Sequence, residues 1–472
     1  MNNLITDTGV DQLITVEEPY IREVLHDFWI CCISREASIL VRREVLTGKA
    51  KFGISGDGKE VAQVAMARAF RKGDFITGYY RDQTFMFAIG ETDLESYFAQ
   101  VYADSILDPF SGGRQMASHF ATPFLAEKGE LLDLKEKYNV TCGISSTAGQ
   151  VVRGIGIALA SRKFREVPQL ADHPLNDEGE GISFFTIGDG STSEGPFWEM
   201  MNAAAVMKVP LAVSIWDDGY AISVPKKYQT VKESISRALE GFLIDENKDG
   251  IRIYTAKGWD YPGLVDLYDR AINKVREEHI PALIHILDLT QPLGHSTSGS
   301  HERYKSAERL QWEKENDCIL KFQEWIIENG MATHEELDTL RQEANRQVKL
   351  AKTRTWNKLT SRIKKDKEEF TEIVREIYVS IGEPDSIKAK YEKMNPPEFP
   401  RLSHIVSAGR QISHELALKK VPHPRLKESL EAKTRMLDER ISTKLYSDSA
   451  SSPHNVPVVE PVYSENSPEE AG

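Results

Sequence analysis

The sequence predicts an α/β protein, a largely parallel sheet flanked by helices, with a C-terminal helical extension. Three observations carry that expectation. Between Gly143 and Ile286 short apolar runs alternate with stretches of helical length. Three of these runs end in polar loops that contain glycine. Beyond about Glu302 the chain becomes strongly charged and helical in pattern. Buried strands separated by helices pack as parallel sheets, and their ligands gather beyond the strand carboxyl ends.

Taken in order, Tyr20 to Leu46 reads as a helix, with Ile21, Val24, Leu25, Phe28, Ile33 and Ala37 forming an apolar stripe. Cys31 and Cys32 fit there as small apolar filling. Phe52 to Gly58 is a loop punctuated by glycine, and Lys59 to Phe70 returns to a helical pattern. Ile182 to Ile187 is a short strand ending in Gly188-Asp189-Gly190, and Pro196 to Met207 is the helix that follows. Leu211 to Trp216 is the next strand, ending in Asp217-Asp218-Gly219-Tyr220. Ala282 to Leu289 is a third, leading into the loop from Gly294 to His301.

Residues Glu335 to Arg375 are dominated by Glu, Lys, Arg and Gln, with Leu337, Leu340, Val348 and Leu359 too sparse for a long coiled coil. The expected organisation is an α/β domain over 1–335 and a charged helical extension over 336–445, packed on the main domain or on a partner. A polar segment over 446–472 completes it, as a disordered tail or a truncated linker.

The 472 residues suffice for a large core, and 40% hydrophobic with 9% aromatic residues fit a globular enzyme. A formal net charge of -13 argues against nucleic acid or an anionic membrane as the main partner. Cys31, Cys32, Cys142 and Cys318 show neither metal-ligand spacing nor a disulfide framework, which suits a reducing cytoplasm. Met1 to Val16 lack the marks of a targeting peptide, and no apolar run reaches the ~18 residues of a membrane span. The expected location is cytoplasmic.

The two acidic turns carry the chemistry. Asp189 and Asp218 close neighbouring strands 29 residues apart, room for one helix and a return strand. Magnesium bound to a diphosphate takes one or two carboxylates or amides beside phosphate oxygens. The backbone carbonyl of Tyr220 offers a third protein oxygen. Gly188 and Gly190 permit close approach to a phosphate, and the helix near Pro196 presents its N-terminal dipole.

Gly188-Asp189-Gly190-Ser191-Thr192-Ser193-Glu194-Gly195 through Asp217-Asp218-Gly219-Tyr220-Ala221-Ile222-Ser223 resembles the thiamine diphosphate motif. Tyr79-Tyr80-Arg81-Asp82, Asp108 to His119 with its Gly-Gly-Arg-Gln-Met core, and Leu293 to Ser298 resemble further segments of one family. That family comprises the α subunits of the first component of branched-chain 2-oxo acid and pyruvate dehydrogenase complexes. The resemblance spans roughly residues 20 to 330. It implies a thiamine-diphosphate-binding fold, with Asp189, Asp218 and the Tyr220 carbonyl as magnesium ligands. Gly188, Gly190 and Ser191 join the cofactor-binding set, and Tyr80 and Arg81 are placed to hydrogen-bond the diphosphate. Ser145 and Thr147, in Gly143 to Gln150, fall where relatives seat the pyrimidine. The Asp108 to His119 segment falls at the active-site entrance, with His119 a lesser candidate.

His295 is the catalytic candidate and also a cofactor contact. A histidine titrating near neutrality suits proton handling during acyl transfer. The chain departs from the pattern in three places. Asp217-Asp218 stands where the family usually has two Asn, so tight magnesium dependence is expected. Thr290-Gln291-Pro292 stands where relatives place an Arg before the histidine. Gly149 replaces a hydroxyl ligand, so the resemblance does not extend to a potassium site.

The implied reaction is oxidative decarboxylation of a 2-oxo acid, with the acyl group passed to a lipoyl-bearing acyltransferase. A branched-chain acid such as 2-oxoisovalerate is favoured and pyruvate is the alternative. Nothing here resembles the activating glutamate that the β subunit normally supplies, so this chain is expected to be an α subunit, or the α half of an α/β fusion, that is inactive alone and works with a β subunit or β domain in an α2β2 assembly. A transketolase-like ketol transferase and a non-catalytic assembly subunit are the competing readings.

Overall fold

In a computed structural model the described residues run from 13 to 460, apart from 15, 116, 127–128, 145–146, 171–172, 177, 248, 297–299, 396–400, 443–451 and 456. Helix α1 (Pro19–Leu46) begins where the Glu18 carboxylate accepts from the Ile21 amide at 2.6 Å, with proline in the first turn. It is buried on most of its circumference, because α2 (Glu60–Ala69) and later helices enclose it. Phe28, Trp29, Cys31, Cys32 and Ile33 are all sealed from solvent. Each large apolar side chain so buried contributes roughly 1.5–3 kcal/mol.

The chain then lays down β1 (Phe75–Thr77), α3 (Gln83–Ala88), α4 (Leu94–Val101), β2 (Asn139–Val140) and α5 (Val151–Glu166). Next come β3 (Ser183–Gly188), α6 (Gly195–Met207), β4 (Leu211–Trp216), the small hairpin β5 (Tyr220–Ala221) and β6 (Val224–Pro225), and α7 (Ile235–Ala238). The unit closes with β7 (Arg252–Lys257), α8 (Tyr261–Glu278) and β8 (Ala282–Leu287).

Six strands pair in the order β2-β1-β3-β4-β8-β7, every pairing parallel. The parallel sheet expected from sequence is therefore present. It starts earlier than Gly143, however, because β1 and β2 hold only three and two residues, too few to show a period. The edge strand β7 is half exposed and ends in Arg252 and Lys257, which hides it among polar segments. The three strands legible in the sequence, β3, β4 and β8, are neighbours at the centre of the sheet.

Side chains alternate across that sheet. Phe184, Ala212, Trp216, Ile284 and Ile286 pack with α1, α2 and α8 on one face. Phe185, Ile187, Leu211, Val213, Ile215 and Leu283 pack with α5 and α6 on the other. Helices on both faces leave only the strand ends open.

Beyond the sheet come α9 (Ala307–Glu315), α10 (Cys318–Glu328) and the long α11 (His334–Ile381), opened by a capping box between Thr333 and Glu336. Then follow α12 (Asp385–Glu392), α13 (Leu402–Leu418) and α14 (Pro424–Ser442). The first half of α11 lays Leu337, Leu340, Ala344, Val348 and Ala351 into the main core. Its second half turns Phe370, Ile373, Val374 and Ile377 toward Ile387, Ile405, Ile412, Leu416 and Leu426, a separate small core. One 48-residue helix serves two cores, which explains its sparse apolar content. Among the described residues, no helix is long and apolar enough to cross a membrane.

Candidate active site

Because β3, β4 and β8 are adjacent, their carboxyl-end loops converge on one cavity of about 390 Å³. Tyr80, Arg81, Gly188, Asp189, Gly190, Ser191, Asp218, Tyr220 and His295 all line it. Phe52, Ile54, Trp216 and His119 complete much of the wall. Thr147 is buried behind that wall and donates to the Ser191 hydroxyl at 2.5 Å. Ser145, the other expected pyrimidine-seat residue, lies outside the described residues.

Asp189 begins a short 3-10 turn after β3. It is 7% exposed, and its Oδ2 is buried with no hydrogen-bond partner. Burial, reinforced by the nearby negative charges of Asp218 and Asp217, pushes its carboxyl well above the ordinary range. A buried, unpartnered carboxylate oxygen facing a cavity is the donor that a hard cation seeks. The backbone here has no room to spare: a Cβ on Gly190 would meet the Ala221 Cβ at 2.4 Å. The residues present thus fit a magnesium–diphosphate group. Among the described residues no set of three His, Cys, Asp or Glu side chains is grouped to bind a metal by itself, so backbone and ligand oxygens would complete the shell.

The two aspartates at 217 and 218 part company. Asp217 is turned into the protein, where it accepts from His285 Nε2 at 3.0 Å, Lys226 Nζ at 3.0 Å and the Gly219 amide at 2.9 Å. Burial opposes its charge, but His285 and Lys226 outweigh it and hold the carboxyl below the usual range. Asp218 faces the cavity. Its Oδ1 accepts from the Tyr220 amide at 3.2 Å, and its Oδ2 from Lys59 Nζ at 3.0 Å. Burial again raises and cations lower, and Lys59 and Arg81 win.

Arg81 is buried, and its guanidinium donates to two main-chain carbonyls, Ser55 at 2.6 Å and His295 at 3.0 Å. It does not pair with Asp82. That carboxylate instead accepts from the Tyr79 amide at 2.9 Å, Trp216 Nε1 at 3.2 Å and the Thr186 hydroxyl, and burial lifts it to about 6.

His295 departs from the expectation of a near-neutral pKa. Burial first, then the positive charge of Arg81, depress it to about 4, so the imidazole is neutral at physiological pH. Its ring can accept a proton or donate from one nitrogen without carrying resident charge. Arg114 and Gln115, of the expected entrance segment, border an adjoining cavity of about 530 Å³ faced by Trp356 and Arg362 of α11. Phe52 borders both cavities. Met116 lies outside the described residues.

Residues 33–364 match the family described as dehydrogenase E1 component. The chain belongs to that family. It is 31% identical to the 2-oxoisovalerate dehydrogenase subunit alpha of Bacillus subtilis over 298 residues, 62% of this chain and 78% of that one. It is 24% identical to the mitochondrial 2-oxoisovalerate dehydrogenase subunit alpha 1 of Arabidopsis thaliana over 366 residues, 76% of this chain and 68% of the relative. With the human mitochondrial subunit alpha the identity is 25% over 303 residues, 64% of this chain and 60% of the relative. An E1 dehydrogenase component is an oxidoreductase component, and the family uses thiamine diphosphate. The family match ends inside α11, so the small second core lies beyond it.

Lys59 was missed by sequence reasoning. It stands 159 residues from Asp218, and a lysine at the start of a helix gives no sign of burial. The only signal was its place beside Gly56, Asp57 and Gly58, a loop that closes over the same strand ends. Asp82, His285 and Lys226 were missed for the same reason, since each acts through a partner distant in sequence or on the far side of a turn.

Proposed function

We propose that this chain is the α component of a branched-chain 2-oxo acid dehydrogenase, holding the magnesium–diphosphate end of thiamine diphosphate. The observation that carries this reading is the convergence of Asp189 and Asp218 on one cavity, with Asp189 Oδ2 lacking a partner. In this reading Asp189, Asp218 and the Tyr220 carbonyl hold magnesium, while Gly188, Gly190 and Ser191 let the diphosphate approach the backbone. Tyr80 lines the same cavity, and Thr147 fixes the Ser191 hydroxyl. When bound, the cofactor would supply the nucleophile and the electron sink that decarboxylation of a 2-oxo acid needs.

The protein does the rest. Arg81 fixes the main chain at His295, so that the imidazole points from a defined position into the cavity. A neutral His295 can hydrogen-bond the developing charge on the substrate oxygen and pass a proton during acyl transfer to a lipoyl carrier. Apolar walls from Phe52, Ile54 and Trp216 suit a branched aliphatic substrate and exclude water. The names of these three relatives, each a 2-oxoisovalerate dehydrogenase α subunit, support the branched-chain acid over pyruvate. Subunit alpha in those names implies a β partner; we infer that it completes the site, in an α2β2 enzyme serving a lipoyl-bearing acyltransferase.

We also infer a division into a cofactor-binding α/β unit to about residue 335 and a helical extension from 336 to 445. Four unpaired cysteines support a reducing, cytoplasmic location. The deciding experiment is reconstitution with the β partner, magnesium and thiamine diphosphate, assayed with an artificial electron acceptor. Turnover of 2-oxoisovalerate faster than pyruvate, and none by this chain alone, is expected. Decarboxylation without any partner, or no turnover of either acid by the reconstituted enzyme, would overturn the reading.

A further inference from the structure

Lys59 is 1% exposed by its side chain, yet it carries an ammonium group into the wall behind the cavity. All three of its donors are used: Asp218 Oδ2 at 3.0 Å, the Thr290 carbonyl at 3.0 Å and Gln291 Oε1 at 2.7 Å. Two of those acceptors are neutral, so Asp218 is its one anionic partner among them. Asp218 is also the residue that the proposed function places beside the magnesium–diphosphate group.

A second carboxylate beside a diphosphate adds repulsion that an amide would not. We propose that Lys59 is a positioning residue that neutralises this charge and divides the work of the Asp218 carboxylate: Oδ2 is bound to the ammonium, and Oδ1, which accepts from the Tyr220 amide at 3.2 Å, keeps a lone pair for the metal. Lys59 does not line the cavity, whereas Asp218 does, so the ammonium approaches from the protein side and leaves the cavity side open. The pair has the net charge of a neutral amide, but it presents a carboxylate oxygen to the cation. Asp217 has its own partners, Lys226 and His285, and does not share Lys59.

The surrounding charges support a local pairing. Arg81 directs its guanidinium to carbonyls of Ser55 and His295, and Lys305 is committed to Glu313 at 2.7 Å. Arg309 donates to the Asp218 carbonyl at 2.9 Å, which fixes the turn without touching the carboxylate. Lys59 is thus the cation in hydrogen-bond contact with the Asp218 carboxylate among the described residues.

This inference rests on the magnesium–diphosphate reading, and the test separates the two. The full chain, co-expressed with its β partner, is titrated with thiamine diphosphate at several magnesium concentrations, followed by calorimetry and by the fluorescence of Trp216 at the cavity wall. Wild type, Lys59→Gln, Asp218→Asn and the double variant form a cycle. Each single variant leaves one buried charge unmatched, and a loss of at least about tenfold in cofactor affinity is expected from such half-pairs. Lys59→Gln should also shift the magnesium midpoint upward, and Asp218→Asn should weaken magnesium itself. The double variant, with no charge at either position, should return to within about threefold of wild type, the non-additivity of coupled residues. Additive losses in the double variant, or a Lys59→Gln enzyme that binds like wild type, would overturn the inference. No magnesium-dependent binding by wild type would instead sink the reading beneath it. If Lys59→Gln does not fold, the double variant decides: wild-type-like binding supports a charge role, and weak binding with a normal melting curve refutes it.

Discussion

Arg81 donates one guanidinium N–H to the main-chain oxygen of His295 at 3.0 Å, although the two residues lie 214 positions apart. Its other terminal nitrogen holds the Ser55 carbonyl at 2.6 Å. One planar, permanently charged fork thus ties the loop that carries His295 to the loop before α2.

Arg81→Lys is expected to break that fork, because one ammonium cannot reach both carbonyls in the same plane. Misplacing a catalytic group by about 1 Å can cost on the order of a hundredfold in rate. The reconstituted enzyme should therefore lose kcat/KM by about that factor while its melting temperature shifts little. Unchanged kcat/KM would show that His295 is placed without Arg81.

Asp189→Asn separates stability from binding. The buried Oδ2 of Asp189 has no partner, so its charge is a cost to the ligand-free protein. Replacing a buried unsatisfied carboxylate by an amide should stabilise the ligand-free chain, by roughly 1–3 kcal/mol. The same change should weaken magnesium-dependent cofactor binding. A variant that melts lower and still binds as wild type does would contradict the assignment of Asp189 as a ligand.

Two histidines give a pH signature. His279, whose Nε2 lies 3.1 Å from the Gly179 carbonyl, is depressed to about 4 by burial and by Arg165; His295 is depressed to about 4 as well. A histidine with a lowered folded-state pKa leaves the unfolded chain to take up protons first. Its contribution to stability is intact above about pH 6.5 and declines as pH falls toward 4. His279→Gln should therefore close its stability gap to wild type, or overtake it, between pH 7.5 and pH 5 in urea unfolding. A constant gap across that range would show that His279 does not titrate on unfolding.

Phe370→Ala tests the division of the molecule. Phe370 is 1% exposed and anchors the small core of α11, α13 and α14, where a Cβ on Gly409 would already come within 3.0 Å of its ring. Such a truncation costs about 3–5 kcal/mol. Limited proteolysis should then cut within 360–440 first, with cofactor binding by the α/β unit retained. Simultaneous loss of both would show that the two cores fold as one.

The sequence alone determined the central strands, the helices on either side of them and many of the polar residues that line the cavity, while the apolar wall of Phe52, Ile54 and Trp216 was not legible in it. The strands and turns were legible because apolar runs of six residues and Gly-Asp turns are local signals, and a parallel sheet places consecutive strand ends together. Only the tertiary structure decided that Asp217 turns inward to His285 and Lys226, that Lys59 pairs with Asp218, and that His295 is neutral. Those properties depend on burial and on partners dozens to hundreds of residues away, and electrostatic energy depends on distance in space, which the order of residues along a chain does not specify.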